Sequence, residues 1–322
     1  MTRVLVTGAA GFIGSHLVEA LARQGNEVVG IDNFDPFYPR PMKERNLAEM
    51  DRLPGFTFRE LDLLDSAALQ TLLTPQTVIV HLAAKAGVRP SLADPVGYAR
   101  TNVTGTAAIV EAARGAGVSR IVFGSSSSVY GDSTPVPFRE DAPAVEPVSP
   151  YAATKRAGEL LLASVAPIYG FQIASLRFFT VYGPRQRPDL AIHAFARRMV
   201  DGRPVTVFGD GSQARDYTYC DDIIAGVLAA LCWTERAPVG VEHFNLGGNR
   251  SVPTGVMVDE IAAALGITPT IERAPMQPGD VQRTAADLTK SGAILGYAPA
   301  TPFPEGIRRF VAWFREAHGR AD

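Results

Sequence analysis

The sequence is short of cysteine, of lysine and of surplus charge. Its 322 residues include only two cysteines, Cys220 and Cys232, with no CxxC spacing. That excludes a disulfide scaffold and a cysteine-based metal cluster, so no metal is expected. Basic residues number 31 and acidic ones 33, for a net charge of −2. Without a cationic surplus there is nothing to condense on phosphate backbones or anionic lipid, and neither nucleic acid nor a membrane is expected as partner. Long hydrophobic runs are missing as well. The most apolar helical stretch, residues 223–233, has 11 residues and follows Asp221 and Asp222, against the ~20 that span a bilayer. The opening MTRVLVTGAAG runs straight into a strand and a glycine turn, without the apolar core of a signal peptide. A cytoplasmic location is expected. What is present suits a globular chain: 46% hydrophobic and 20% charged residues, too apolar for disorder. At roughly 150 residues per domain, the length suggests two domains or one with an extension.

The first half alternates short apolar runs with helical spacing. Strands are expected at residues 3–7, 27–32, 56–60, 78–82, 121–123 and 172–179, and helices at 13–24, 101–116 and 151–166. Continuous apolar runs, rather than alternating ones, mark a parallel sheet covered on both faces. The expected fold is α/β, a doubly wound parallel sheet with a smaller C-terminal α/β domain. After Val181 prolines such as Pro184, Pro188, Pro204 and Pro238 break the pattern. The helix at 221–233 and the strand at 242–246 still read as sheet-type elements. The expected division is therefore 1–180, with about 216–248 returning to it, against 181–215 and 249–322.

Three motifs carry chemistry. Gly8, Gly11 and Gly14 stand between the first strand and first helix as GxxGxxG. Glycines there let the backbone turn sharply and approach a pyrophosphate, whose charge then meets the helix N-terminus. A tight strand–helix turn of any kind can use glycines, but this placement favours a dinucleotide. Asp32 ends the second strand, 24 residues after Gly8. A carboxylate there accepts ribose hydroxyls and repels a 2′-phosphate, which favours NAD over NADP; a turn cap is the plainer reading. Asp62 and Leu63, following the strand at 56–60, are placed to reach an adenine.

The second motif is Tyr151-Ala-Ala-Thr-Lys155, with Ser149 and Pro150 at N-cap and first-turn positions. This puts Tyr151 and Lys155 one turn apart on one helix face. An ammonium beside a phenol favours the phenolate, so a group of pKa near 10 can act as a base. The spacing alone is common on amphipathic helices. Composition sharpens it: Lys43, Lys85, Lys155 and Lys290 are the only lysines, and the other 27 of the 31 basic residues are arginine. The third motif, Gly124-Ser125-Ser126-Ser127-Ser128-Val-Tyr130-Gly131, follows the strand at 121–123. That edge of a parallel sheet is where ligands bind, and Ser126 lies on the loop best placed to meet Tyr151.

Together TGAAGFIGSHL, HLAA, SSSSVYG, YAATK and RFFTVYGP resemble the extended short-chain dehydrogenase/reductase family, in its nucleotide-sugar epimerase branch, over nearly the whole chain. Within that branch, AGVRPSLADP, RPDLAIHAF, RDYTYCDDI and MQPGDVQRTAADLTKSGAILGYAP are similar to UDP-glucuronate 4-epimerases. The resemblance implies Ser126, Tyr151 and Lys155 as catalytic set. It implies NAD held by Gly8, Gly11, Phe12, Ile13, Gly14, Asp32, Asn33, Asp62, Leu63, Leu82, Ala83, Ala84, Asn102, Tyr151, Lys155 and Phe178. It implies a UDP-sugar held by Arg89, Ser126, Ser127, Ser128, Thr180, Arg187, Phe208, Arg215 and Asp280. A homodimer through the helices at 101–116 and 151–166 is implied in the same way. Departures lie around the sugar: Lys85 and Pro90 replace the family's Gln and Tyr, and Arg185-Gln186 replaces Trp-Gly.

The activity so implied is NAD-dependent 4-epimerisation of a UDP-sugar, UDP-glucuronate to UDP-galacturonate, through a 4-keto intermediate. A UDP-glucose/UDP-galactose 4-epimerase would share every catalytic residue and is the main alternative. A 4,6-dehydratase carries an Asp-Glu pair, and a decarboxylase a Glu, where Ser127 and Ser128 stand here. A non-catalytic NAD-binding regulator would commonly have lost the Tyr or the Lys. Arg187 is the expected partner of a sugar carboxylate, with Arg185 a competitor and a surface pair with Asp189 the plainer reading.

Overall fold

The computed structural model describes residues 1–275 and 282–319. Among them the strands are β1 (Arg3–Thr7), β2 (Glu27–Asp32), β3 (Phe56–Glu60), β4 (Val78–His81), β5 (Arg120–Ser126), β6 (Gln172–Phe178), β7 (Thr180–Tyr182), β8 (Val205–Phe208), β9 (Ala214–Tyr219), β10 (Gly240–Leu246), β11 (Ser251–Pro253) and β12 (Ile271–Ala274). The helices are α1 (Phe12–Arg23), α2 (Arg40–Met50), α3 (Ser66–Thr71), α4 (Val88–Ala93), α5 (Pro95–Tyr98), α6 (Gly105–Ala116), α7 (Pro150–Tyr169), α8 (Ala191–Val200), α9 (Cys220–Trp233), α10 (Thr254–Leu265), α11 (Thr289–Leu295) and α12 (Phe303–Gly319). No helix among the described residues is long and apolar enough to cross a membrane.

Seven strands form one parallel sheet in the order β10-β6-β5-β4-β1-β2-β3. Side chains alternate across a strand, so each strand feeds two cores. Val4 and Val6 of β1 join Val78, Val80 and Val122 beneath α1 and α9. Leu5 joins Ile79, Ile121 and Phe123 beneath α6 and α7 on the other face. This is a doubly wound α/β fold. The edge strand β3, FTFRE, is only partly buried, as a strand with one free edge can be. β10 pairs with β6 along its length, which brings the chain back to the sheet after β9. The remaining strands stay outside it, as β11-β9-β7 and β12-β8.

Two elements differ from the sequence expectation in ways that shape the site. The strand expected at 121–123 continues to Ser126, because Ser125 and Ser126 keep pairing with Arg177 and Phe178 of β6. Backbone hydrogen bonding does not stop where apolar side chains stop. The helix expected at 101–116 begins instead with a π-helical turn, Ala99–Thr104, before α6. Asn102 inside that turn spends its side chain on backbone groups outside the helix. Widened turns of this kind recur at functional sites.

Candidate functional site

A cavity of about 520 Å³ opens at the C-terminal ends of β1, β2, β4, β5 and β6. Its first wall is the glycine turn. Gly8 takes φ +73°, and a Cβ on Gly14 would lie 2.1 Å from the Gly8 carbonyl oxygen. Only bare backbone fits so close a strand–helix approach, and α1 thereby points its unpaired N–H groups into the cavity. Phe12 and Ile13 line the same wall. Opposite, the backbone N–H groups of Leu82 and Ala83 both donate to Thr7 Oγ1, at 3.1 and 3.0 Å, which fixes the Leu82-Ala83-Ala84 edge.

At the far end Asp32, Asn33, Asp62 and Leu63 line the cavity together. Asn33 Nδ2 donates to Asp62 Oδ2 at 2.9 Å, joining the ends of β2 and β3. Asp32 is buried, and its Oδ1 accepts from the Phe34 backbone at 2.8 Å and from Lys43 Nζ at 3.2 Å. Lys43 also lines the cavity, a placement that sequence reading missed. The sparse lysine count was the available signal.

The tyrosine and lysine of α7 lie at the other end. Ser149 Oγ caps α7 by accepting from Ala152 N–H at 3.1 Å, and Pro150 starts the helix. This fixes Tyr151 and Lys155 on one face, where both line the cavity beside Phe178. Ser126 Oγ accepts from Ser128 N–H at 3.2 Å and lies close enough to the Tyr151 hydroxyl to act on its pKa. Burial raises the Tyr151 pKa, and the Ser126 hydrogen bond and the Arg187 charge act against it. Lys155 donates to the Gly124 carbonyl at 2.7 Å and is pushed down to about 8 by burial, with the Glu159 charge opposing. The expected lowering of Tyr151 by Lys155 therefore gives way to desolvation, which dominates both groups. Glu159 stands one further turn along α7, held bidentate by buried Arg177 at 2.9 and 3.0 Å, and accepts from Ser125 Oγ at 2.7 Å. One carboxylate thus ties α7, β5 and β6 behind the reactive groups.

Asn102 is the expected cofactor residue that the cavity wall does not include. It is buried behind the wall, where Nδ2 donates to Lys85 O and Thr154 Oγ1, both at 2.9 Å, and Oδ1 accepts from Lys85 N at 2.9 Å. In this arrangement it holds the Lys85 backbone that follows the Leu82-Ala83-Ala84 edge.

Arg187 lines the cavity as well, lies 5.1 Å over the Phe37 ring, and pairs with Asp189 at 2.9 and 2.7 Å. The expected pair with Asp189 is therefore present, on a guanidinium that is largely buried rather than at the surface. Its rival Arg185 turns away, to Glu19 and Glu49. Ser127 and Ser128 follow in the 3₁₀ turn after β5, and Thr180 opens β7; none of these three lines the cavity. Arg89 stacks on Phe208 at 4.9 Å, which brings two expected substrate residues together. Arg215 lies on β9, paired across to β11. Asp280 lies outside the described residues.

The residues present fit NAD: a backbone cradle that a Cβ would fill, a buried carboxylate at the ribose end, and Tyr151 with Lys155 at the other. The NAD dependent epimerase/dehydratase family matches residues 4–247. The UDP-glucuronate 4-epimerase of Thermodesulfobacterium geofontis is 38% identical over 315 residues, 97% of this chain and 96% of the relative. The UDP-glucuronic acid 4-epimerase of Bacillus cereus, solved with UDP-glucuronic acid and NAD, superposes with TM-score 0.91 at 36% identity, covering 98% of this chain and 100% of that one. The UDP-glucose 4-epimerase of Thermotoga maritima, with UDP-glucose, superposes with TM-score 0.87 at 32% identity, covering 98% and 100%.

Proposed function

Because the chain belongs to the NAD dependent epimerase/dehydratase family, we propose that it interconverts UDP-glucuronate and UDP-galacturonate at C4 through a 4-keto sugar. The observation that carries the reading is one cavity holding the glycine cradle, Asp32, Tyr151, Lys155 and Arg187 together. Gly8, Gly11, Gly14, Asp32 and Lys155 would hold NAD, which supplies a reversible hydride acceptor at C4. Tyr151 removes the O4 proton and later returns it, while Ser126 hydrogen-bonds the reacting oxygen. Lys155, a buried cation behind Tyr151, stabilises the charge that the phenol acquires. Net redox is zero, so no second substrate is required.

A 4-keto glucuronate is a β-keto acid, and it loses carbon dioxide when its carboxylate aligns with the carbonyl. The pocket must clamp that carboxylate, and of the two arginines lining the cavity, Arg100 and Arg187, Arg187 is the one whose charge reaches Tyr151. Ser127 and Ser128 stand in the neighbouring turn and carry no carboxylate. These positions leave no acid–base pair for elimination, which argues against a dehydratase.

The same reading assigns residues 1–180 and about 216–248 to NAD, and 181–215 with 249–322 to the UDP-sugar. Support comes from β10, which lies beside β6 while β8, β11 and β12 stand outside the large sheet. It also makes the protein a cytoplasmic homodimer joined through α6 and α7. Leu160 and Ile168 on α7 are 54% and 71% exposed, apolar surface that a second copy would cover.

The test is incubation of the purified protein with UDP-glucuronate, and separately with UDP-glucose, without added NAD. The expected outcome is UDP-galacturonate by NMR from the first. Epimerisation of UDP-glucose alone would transfer the assignment to the UDP-glucose/UDP-galactose reading.

A further inference from the structure

A second cavity of about 520 Å³ opens between α2, α8 and α12. Its wall carries four arginines, Arg45, Arg185, Arg197 and Arg198, against one carboxylate, Glu49, with Trp313 and Met42 as apolar surface. Arg197 pairs with Asp201 at 3.1 Å, and Arg185 with Glu19 and Glu49, while Arg45 and Arg198 donate to the backbone carbonyls of Ala317 and Pro204. The two histidines of the wall stay neutral near pH 7. Burial pushes His193 down to about 4 and lowers His318 as well, and the latter accepts from Arg197 Nη1 at 2.7 Å.

Arg185 is the informative member. Its side chain is 7% exposed, and both of its carboxylate partners, Glu19 and Glu49, sit on Nη2. Nη1 is buried without a partner among the described residues. The backbone of Arg185 takes φ 62°, in the left-handed region that long L side chains rarely occupy. A buried guanidinium N–H lacking an acceptor costs free energy that an anionic oxygen would recover.

The two cavities are connected by short stretches of chain. Tyr38 lines both, and Arg187, two residues after Arg185, lines the first. His193 of α8 bonds the intervening Gln186 carbonyl at 2.8 Å. We propose that the second cavity is a regulatory site for a small phosphorylated compound with an aromatic or apolar body, which acts on substrate affinity through the segment from Arg185 to Arg187. The phosphate meets Arg185 Nη1 and the neighbouring guanidinium groups, and the body packs on Trp313. A shift of Arg185 toward the anion moves Arg187, the residue that faces the sugar.

Trp233 and Trp313 are the only tryptophans, so Trp233→Phe leaves Trp313 as sole reporter. This variant, with NAD and UDP held saturating to fill the first cavity, is titrated with phenyl phosphate and with inorganic phosphate. The expected result is a saturable change in Trp313 emission, at lower concentration for phenyl phosphate. Arg185→Gln, and separately exposed Arg45→Ala, should weaken it at least about tenfold. No saturable change, or unchanged affinity in both variants, would overturn the site. Regulation is read from KM: phenyl phosphate should shift the KM of wild type for UDP-glucuronate and leave that of Arg185→Gln unmoved. Equal shifts in both would overturn the regulatory role. The fluorescence result stands whichever sugar the first cavity takes, so the two readings fail separately.

Discussion

Tyr151 and Lys155 are both working against burial. Desolvation raises the phenol and lowers the ammonium, so each is pushed toward its neutral form in the same cavity. Reactivity then depends on the few groups that oppose this, Ser126 and Arg187 for Tyr151 and Glu159 for Lys155. Tyr151→Phe and Lys155→Met should each lower turnover at least about a hundredfold, with Ser126→Ala costing less. Steady-state kinetics on a folded, NAD-loaded protein checks this, and near-full activity of Tyr151→Phe would end the mechanism. Asp32 has its own residue-scale prediction. With Lys43 at 3.2 Å, removal of the carboxylate leaves a buried ammonium facing the ribose end. Asp32→Ala should therefore weaken NAD at least about tenfold, as expected for hydrogen bonds to a charged group, and improve NADP, whose 2′-phosphate Lys43 can meet. Calorimetric titration with both dinucleotides decides it.

At the scale of elements, α7 carries three chemically distinct positions one turn apart: Tyr151, Lys155 and Glu159. The first two are legible in the sequence, because YxxxK after Ser-Pro is a one-dimensional pattern whose geometry any helix supplies. Glu159 is not, because its meaning comes from Arg177 on β6, 18 residues away and fully buried. The side-chain partners of Asn102 were equally illegible, because Lys85 and Thr154 lie 17 and 52 residues from it. Helix periodicity also missed α2, RPMKERNLAEM, since little of it is apolar and its helix is settled by Leu47 and Met50 packing on α1. Glu159→Gln tests the element. It leaves Arg177 without a countercharge, which should cost about 3–5 kcal/mol in urea unfolding. It also removes the charge that holds the Lys155 pKa up, so that pKa falls further and Lys155 loses its proton at lower pH. The alkaline limb of kcat/KM should move to lower pH, an effect that simple destabilisation would not produce.

At the scale of the whole molecule, the proposed function puts specificity on a segment that leaves the large sheet after β6. The chain passes from β6 through β7 to residues 184–189, and Arg187 lines the cavity that the first strands build. A sugar carboxylate entering that cavity loses water and must be met by charge or by several hydrogen bonds. Arg187 is not idle before it arrives: Asp189 holds it at 2.9 and 2.7 Å. On the proposed reading, substrate and Asp189 compete for one guanidinium, and two variants should then move in opposite directions. Arg187→Ala removes the clamp, so the KM for UDP-glucuronate should rise roughly ten- to a hundredfold, the worth of a charge-assisted hydrogen bond, and that for UDP-glucose much less. Some decarboxylated product should appear, because the 4-keto acid can then rotate its carboxylate into alignment. Asp189→Asn weakens the competitor while keeping its shape, so the KM for UDP-glucuronate should fall and that for UDP-glucose stay level. A merely structural Arg187–Asp189 pair would instead make both substitutions harmful to both sugars alike, and parallel KM measurements on the two substrates separate these outcomes.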